Sequence, residues 1–477
     1  MIHPVAMRTG HAGWSMLVAG LCLALVPILS GARYVFGEEV PESTGGKTVT
    51  ASALRGWQHL RTKPYLPPDF DQTVFENLWR RWPDELRQEA ESASPEKRRR
   101  MTFSYYGLME SLDDRGEGPP LGYVDTGDGN RVMNCLACHA GKVIDKVIPG
   151  LPNSHFALQS LTEDVRLTKL TLLKKLGHLD LASLKLPLGT THGTTNSVVF
   201  GVVLGNLRDN DMNVDRSRPE PLQIHHDMDA PPLWNVRRKR SLYADGFAPK
   251  NHRVLMQFML LPKNDRDTLI SWEDDFKDIQ AWIESLRPPK YPFPINAKLA
   301  EQGRAVFDEN CSSCHGTYGA GGKYDQVLVP LDEVGTDPVR LKALNRQHRE
   351  WMRDGWMSRY GQDGVDVEPD GYVAPPLDGI WATAPYFHNG SVPTLWHVLN
   401  STERPIVWKR TENGYDQKRV GLEVAEFDAL PGEAKSTYAR RSHFDTAKAG
   451  KSAAGHTFPD SLSESEKVSL LEYLKTL

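Results

Sequence analysis

Cysteine is scarce in this chain. Its 477 residues hold five, and four of them fall in two short motifs; the fifth, Cys22, lies in an apolar run near the N-terminus. No pair is left over for a disulfide framework, so the compartment has to be read from other features. A strong charge of one sign is also lacking. The formal charge of −4, from 57 basic and 61 acidic residues, gives no general attraction to nucleic acid. One apolar stretch, Trp14 to Leu29, follows Arg8 and precedes the small residues Ser30-Gly31-Ala32. Residues 1–32 therefore read as a secretory signal, with an uncleaved membrane anchor as the second reading. Leu21 before Cys22 argues against a lipoprotein cleavage site. Either way the folded part is expected in the periplasm or outside the cell, free or anchored to the inner membrane.

The cysteines that are present say more. They form Cys135-Leu136-Ala137-Cys138-His139 and Cys311-Ser312-Ser313-Cys314-His315. Cys-x-x-Cys-His is the attachment signature of c-type haem: two thiols on one turn bind the haem vinyl groups, and the histidine ligates iron. A zinc ribbon would pair its knuckles about 15–20 residues apart, whereas these start 176 apart. A redox dithiol has no need of the histidine that follows both times. Two covalently bound haems are expected, on Cys135, Cys138, Cys311 and Cys314, with His139 and His315 as proximal iron ligands.

The chain is also duplicated. Ala230–Leu255 aligns with Ala374–Leu399 without a gap, at an offset of 144, and each copy follows its own motif. Asn296 is placed to cap a helix through Ala297, Gly303 and Phe307 to Cys311. An amphipathic helix from about Ser463 puts Val468, Leu470, Leu471, Tyr473 and Leu474 on its apolar side. A first helix with Gly and Phe crossing such a last helix resembles the core of class I cytochrome c. In the first half the last helix is expected over about Trp272 to Leu286, and Arg287 to Pro292 forms a linker. The first helix of that half gives no clean pattern. The expectation is a mainly α protein of two tandem class I cytochrome c-like haem domains with long loops and insertions, over residues 50–290 and 291–477.

In class I cytochromes the sixth iron ligand stands just before the last helix, usually as methionine. Here that place holds His456, expected to ligate the second iron, with His388 as rival ligand or as a hydrogen-bonding residue beside the haem. Superimposing the two last helices carries His456 onto Asp265, which is no iron ligand, and the repeat carries His388 onto Ala244. The first domain also lacks the insertion at roughly 400–455. Its haem is expected to be open or weakly held, with a pocket from Tyr243, Met256, Phe258 and Met259. Tyr243 and Phe258 are the candidate catalytic residues; His155, His225, His226 or His252 could instead close the face. In the run Arg237-Arg238-Lys239-Arg240, Arg237 is the candidate partner of a haem propionate. Trp234 and Tyr243 are candidate electron bridges.

The segment from Pro375 through Tyr386-Phe387-His388-Asn389-Gly390 to Pro393 resembles the signature of bacterial di-haem cytochrome c peroxidases. Asn134 to His139, followed by Ile148 to Asn153, is similar to the rubber-oxygenase branch of that superfamily. The resemblance covers roughly residues 100–477. It implies an N-terminal haem that binds dioxygen or peroxide, and a C-terminal haem that is bis-histidine in the oxygenase branch. The peroxidases' methionine has no counterpart at Val398 to Thr402, and their bridging tryptophan corresponds to Ala244. An oxidoreductase is therefore expected, working with a small oxidant or a redox partner protein. The alternative is a non-catalytic electron carrier with both irons six-coordinate.

Overall fold

Two helix crossings organise residues 50–112, 118–217 and 224–477, which this computed structural model describes. One crossing joins Ala297–Asn310 to Glu464–Leu474. The first of these helices starts where the Asn296 side chain accepts from the Leu299 amide at 3.2 Å. The second opens on a capping box between Ser463 and Glu466. Where they touch, a Cβ on Gly303 would run into the Ser469 carbonyl, so only glycine allows this approach. Four residues on, the Phe307 ring lies 5.3 Å from that of Tyr473. Leu470, Leu471, Tyr473 and Leu474 are buried, but Val468 is 41 % exposed. The helix turns buried Ser469 to the contact, because backbone meeting backbone leaves no room for a branched side chain there, and the valine faces out.

The other crossing supplies the helix that the sequence pattern hides. Ala51–Thr62 packs on Glu273–Ser285 with Gly56 against the Asp278 carbonyl and Trp57 5.3 Å from Trp282. The two crossings thus repeat one device, a glycine at the closest approach with an aromatic pair beside it. Asp265, which the superposition set against His456, accepts from the Thr268 amide at 2.8 Å and caps the short helix Arg266–Ser271.

The repeat is visible in the backbone. Tyr243 and Phe387, at equivalent positions, both have positive φ, +70° and +67°, and so do Gly246 and Gly390, +65° and +71°. Leu242 pairs with Ala248 as Tyr386 bridges to Val392.

Helices far outweigh strands among the described residues, where six small antiparallel sheets accompany them. The most substantial sheet lies in the insertion: Val407–Asp416 is its central strand, between Gly421–Phe427 and His443–Asp445. This insertion is a strap across the first half. Tyr438 stacks on Tyr105 at 3.9 Å and donates to its carbonyl at 2.6 Å, Arg441 pairs with Glu163 at 2.6 Å, and Lys451 pairs with Asp227 at 2.7 Å. With these contacts the described residues on both sides of 290 and 291 form one compact unit. Residues 1–32, Cys22 among them, lie outside the described residues. Among the described residues no helix is long and apolar enough to cross a membrane.

Candidate haem sites

Each Cys-x-x-Cys-His motif forms a single tight turn. The His139 amide donates to the Cys135 carbonyl at 3.0 Å, and the His315 amide to that of Cys311 at 3.0 Å. Two asparagines fix the first turn. Asn134 accepts from the Leu136 amide at 2.8 Å and donates to the Leu60 carbonyl at 2.9 Å, while Asn153 donates to the Ala137 carbonyl at 3.0 Å. All four thiols are half-buried and none is in a disulfide. Burial pushes Cys135 and Cys311 up to about 11 and Cys138 up to about 12. A reactive dithiol does the reverse, stabilising its thiolate. Neutral thiols side by side on one turn suit thioether attachment.

The histidines are oriented alike. Nδ1 of His139 lies 3.1 Å from the Pro231 carbonyl, and Nδ1 of His315 lies 2.9 Å from the Pro375 carbonyl. A carbonyl only accepts, so each Nδ1 carries the proton and each Nε2 keeps its lone pair for iron. Pro231 and Pro375 are the same position of the repeat, which gives the duplicated Ala-Pro-Pro-Leu segments a task that their sequence did not disclose. Burial lowers His139 to about 4 and lowers His315 as well, keeping both imidazoles neutral as metal ligands must be.

Opposite His315 stands His456, their ring centres 6.2 Å apart. Metal–nitrogen distances of about 2.0–2.1 Å put a ring centre roughly 3.1 Å from the metal, so two facing imidazoles on one iron fall about 6.2 Å apart. His456 is held in place by its amide donating to the Val334 carbonyl at 2.6 Å, at a φ of +47°, with Phe387 and Phe458 against the ring. Burial, with His315 and the Arg404 guanidinium close by, holds it down to about 3. His388 is turned elsewhere: its ring stacks on Tyr372 at 4.3 Å, and its carbonyl accepts from the Asp229 amide.

Two of the histidines expected as possible ligands of the first haem pair with carboxylates, His225 with Asp227 at 3.2 Å and His252 with Glu273 at 3.1 Å. His226 points Nδ1 at the Ile224 carbonyl, 3.0 Å away. The structure brings Tyr243 to the turn Met256–Met259, where Gln257 donates to its hydroxyl and Phe258 is half-buried. Burial pushes the Tyr243 hydroxyl up, so it keeps a proton that it can donate. The Tyr243 ring stacks on Phe247 at 5.1 Å, and Gln257 and Phe247 line a small cleft.

Arg237, expected at a propionate, has a protein carboxylate instead. Arg237 and Arg238 take the two oxygens of Asp378 at 2.8 and 2.9 Å. Trp234 donates to the Asp378 carbonyl at 2.7 Å, and Asn235 donates to the Pro376 carbonyl at 2.8 Å. One repeat is thereby bolted to the other within a few residues of Pro231 and Pro375. Asp378 and Asn235 were not singled out by sequence reasoning; the only signal was their place in the repeat.

Comparison with known proteins agrees with this site. The family model described as cytochrome c matches residues 300–389, and that described as RoxA-like, cytochrome c-like matches residues 371–409. Protein y4iM of Sinorhizobium fredii is 27 % identical over 50 % of this chain and 59 % of its own length. Protein y4iJ of the same organism is 30 % identical over 44 % of this chain and 45 % of its own length; both are uncharacterized. The chain thus spans about half the length of these relatives. Its C-terminal half carries a cytochrome c domain, which binds c-type haem covalently, and the chain is a c-type cytochrome related to RoxA-like proteins.

Proposed function

We propose that this is an exported di-haem oxidoreductase, with residues 50–290 and 291–477 each built around one haem. When bound, such haems supply one-electron exchange and, at an open face, a place for dioxygen or peroxide. Cys135 and Cys138 hold the first and His139 ligates it; Cys311 and Cys314 hold the second, between His315 and His456. The observation that carries the reading is the asymmetry: His456 faces His315, while the residue that alignment of the two last helices sets against His456 is Asp265, spent on a helix cap. Tyr243 offers its hydroxyl proton, and Phe258 shields with its apolar ring. Trp234 and Asn235 tie the two proximal carbonyl segments together, which suits electron exchange between the halves.

Carbon monoxide titration of the reduced protein tests this. One carbon monoxide per two haems is the expected result. If none binds, both irons are saturated by protein ligands and the chain is an electron carrier.

A further inference from the structure

Two arginines share one aspartate in the interior. Arg340 Nη2 lies 3.2 Å from Asp245 Oδ1, and Arg349 Nη2 lies 3.0 Å from Oδ2. The Arg340, Asp245 and Arg349 side chains are 1 %, 0 % and 5 % exposed. The triad by itself carries one positive charge more than it cancels, and a buried charge of this kind calls for a counterion. On the Arg349 side Asp366 adds a carboxylate, and Arg340 is the end left with open donors. Among the described residues its Nε and Nη1 are buried without a partner, whereas only the Nε of Arg349 is, both of its terminal nitrogens bonding to carbonyls as well, those of Leu341 and Leu344.

Two imidazoles, His226 buried and His388 half-buried, converge on the same place. The Tyr372 hydroxyl accepts from the Leu341 amide at 3.1 Å and donates to the Asp337 carbonyl at 2.7 Å, gripping the start of the short helix Val339–Ala343 that carries Arg340. The ring of the same Tyr372 stacks on His388. Gly450 packs between His226 and Val339, and its carbonyl accepts from Asn389, the neighbour of His388, at 3.3 Å. His226 Nε2 is buried without a partner. Burial first, with Arg340 adding to it, lowers His226 to about 4 and His388 to about 3, so both are neutral; the one N–H of His226 goes to the Ile224 carbonyl, while His388 has one to give. The cluster adjoins the second motif and His456 along two paths. Phe387, beside His388, packs on His456 with ring centres 6.0 Å apart, and Leu341 and Tyr372 belong to the apolar cluster that covers Cys314.

We propose that Arg340, with His388 beside it, is a receptor for a carboxylate, and that this carboxylate is a propionate of the second haem. A guanidinium with two free donors is the natural partner of such a group. The inference rests on the two-haem reading above. A haem count on the purified full-length protein tests that reading by itself, because a chain with one haem fails there before any variant is made.

On the two-haem protein, Arg340→Leu and Arg340→Lys are compared with wild type by potentiometric titration of each centre and by the propionate bending bands in resonance Raman spectra. Loss of the charge should lower the midpoint potential of the low-spin bis-histidine centre and move its propionate band, leaving the other centre alone. The lysine variant keeps the charge in case the leucine variant fails to fold; it should move the band with little change in potential. Bands unmoved in the folded variants, or a shift confined to the other centre, would overturn the proposal. Added acetate should leave the wild-type potential unchanged. A saturable response to acetate at the low-spin centre would assign the receptor to a free carboxylate and overturn the haem assignment.

Discussion

His456 concentrates the residue-scale argument, because one side chain separates a closed haem from an open one. His456→Ala should turn the second centre from low-spin to high-spin and let it bind carbon monoxide, read by absorption and electron paramagnetic resonance. If that centre stays low-spin, another ligand holds the iron, and His388 is the first to examine. Asp378 makes a second residue-scale prediction. Its carboxylate, 8 % exposed, answers both Arg237 and Arg238. Asp378→Asn should therefore cost about 1.5–3 kcal/mol, the range for hydrogen bonds to charged groups, measurable by urea unfolding. The legibility of these two residues differs for a physical reason. His456 stands at a fixed place before an amphipathic helix, where chain order locates it. Asp378 and Arg340 act on residues more than 90 positions away, and no local pattern marks a distant partner.

At the scale of elements the glycines decide. Gly303→Val would push a branched side chain into the Ser469 carbonyl and should cost at least about 1–3 kcal/mol, the usual range for overpacking. A variant as stable as wild type by thermal melting would show that the crossing is looser than described. The sequence displayed this crossing because Gly303 stands eight residues before Cys311 and Phe307 follows one helical turn later. Gly56 makes the same contact but stands 79 residues before Cys135, with Trp57 directly beside it, and that interval hides the equivalence. The strap makes a pH prediction. His192 packs on Tyr438 at 4.5 Å, and its amide donates to the Arg441 carbonyl. Burial, then Arg441, lowers it to about 3, so the folded form refuses a proton that the unfolded chain takes below about 6.5. Its contribution is complete above pH 6.5 and is lost as pH falls towards 3. By pH 5 that amounts to up to about 2 kcal/mol, at 1.4 kcal/mol per pH unit. His192→Gln should lose less stability than wild type between pH 7 and pH 5, in denaturant melts at each pH.

For the whole molecule, duplication is the organising fact. Two Ala-Pro-Pro-Leu segments present carbonyls to two histidines, and Trp234 and Asn235 lock the segments to each other. The repeat was legible as an offset of 144. Its consequence, the joining of the two sites on their proximal sides, needed the fold. So did the strap, since residues 400–455 read only as an insertion while the structure lays them over Tyr105, Glu163 and Asp227.

The electron paramagnetic resonance spectrum of the ferric full-length protein, quantified against its haem content, tests the central claim most directly. Two unlike centres in equal amount, one low-spin with the signature of two histidines and one high-spin, are the predicted result. Two low-spin centres would contradict the open first site, and two high-spin centres would contradict the pairing of His315 with His456.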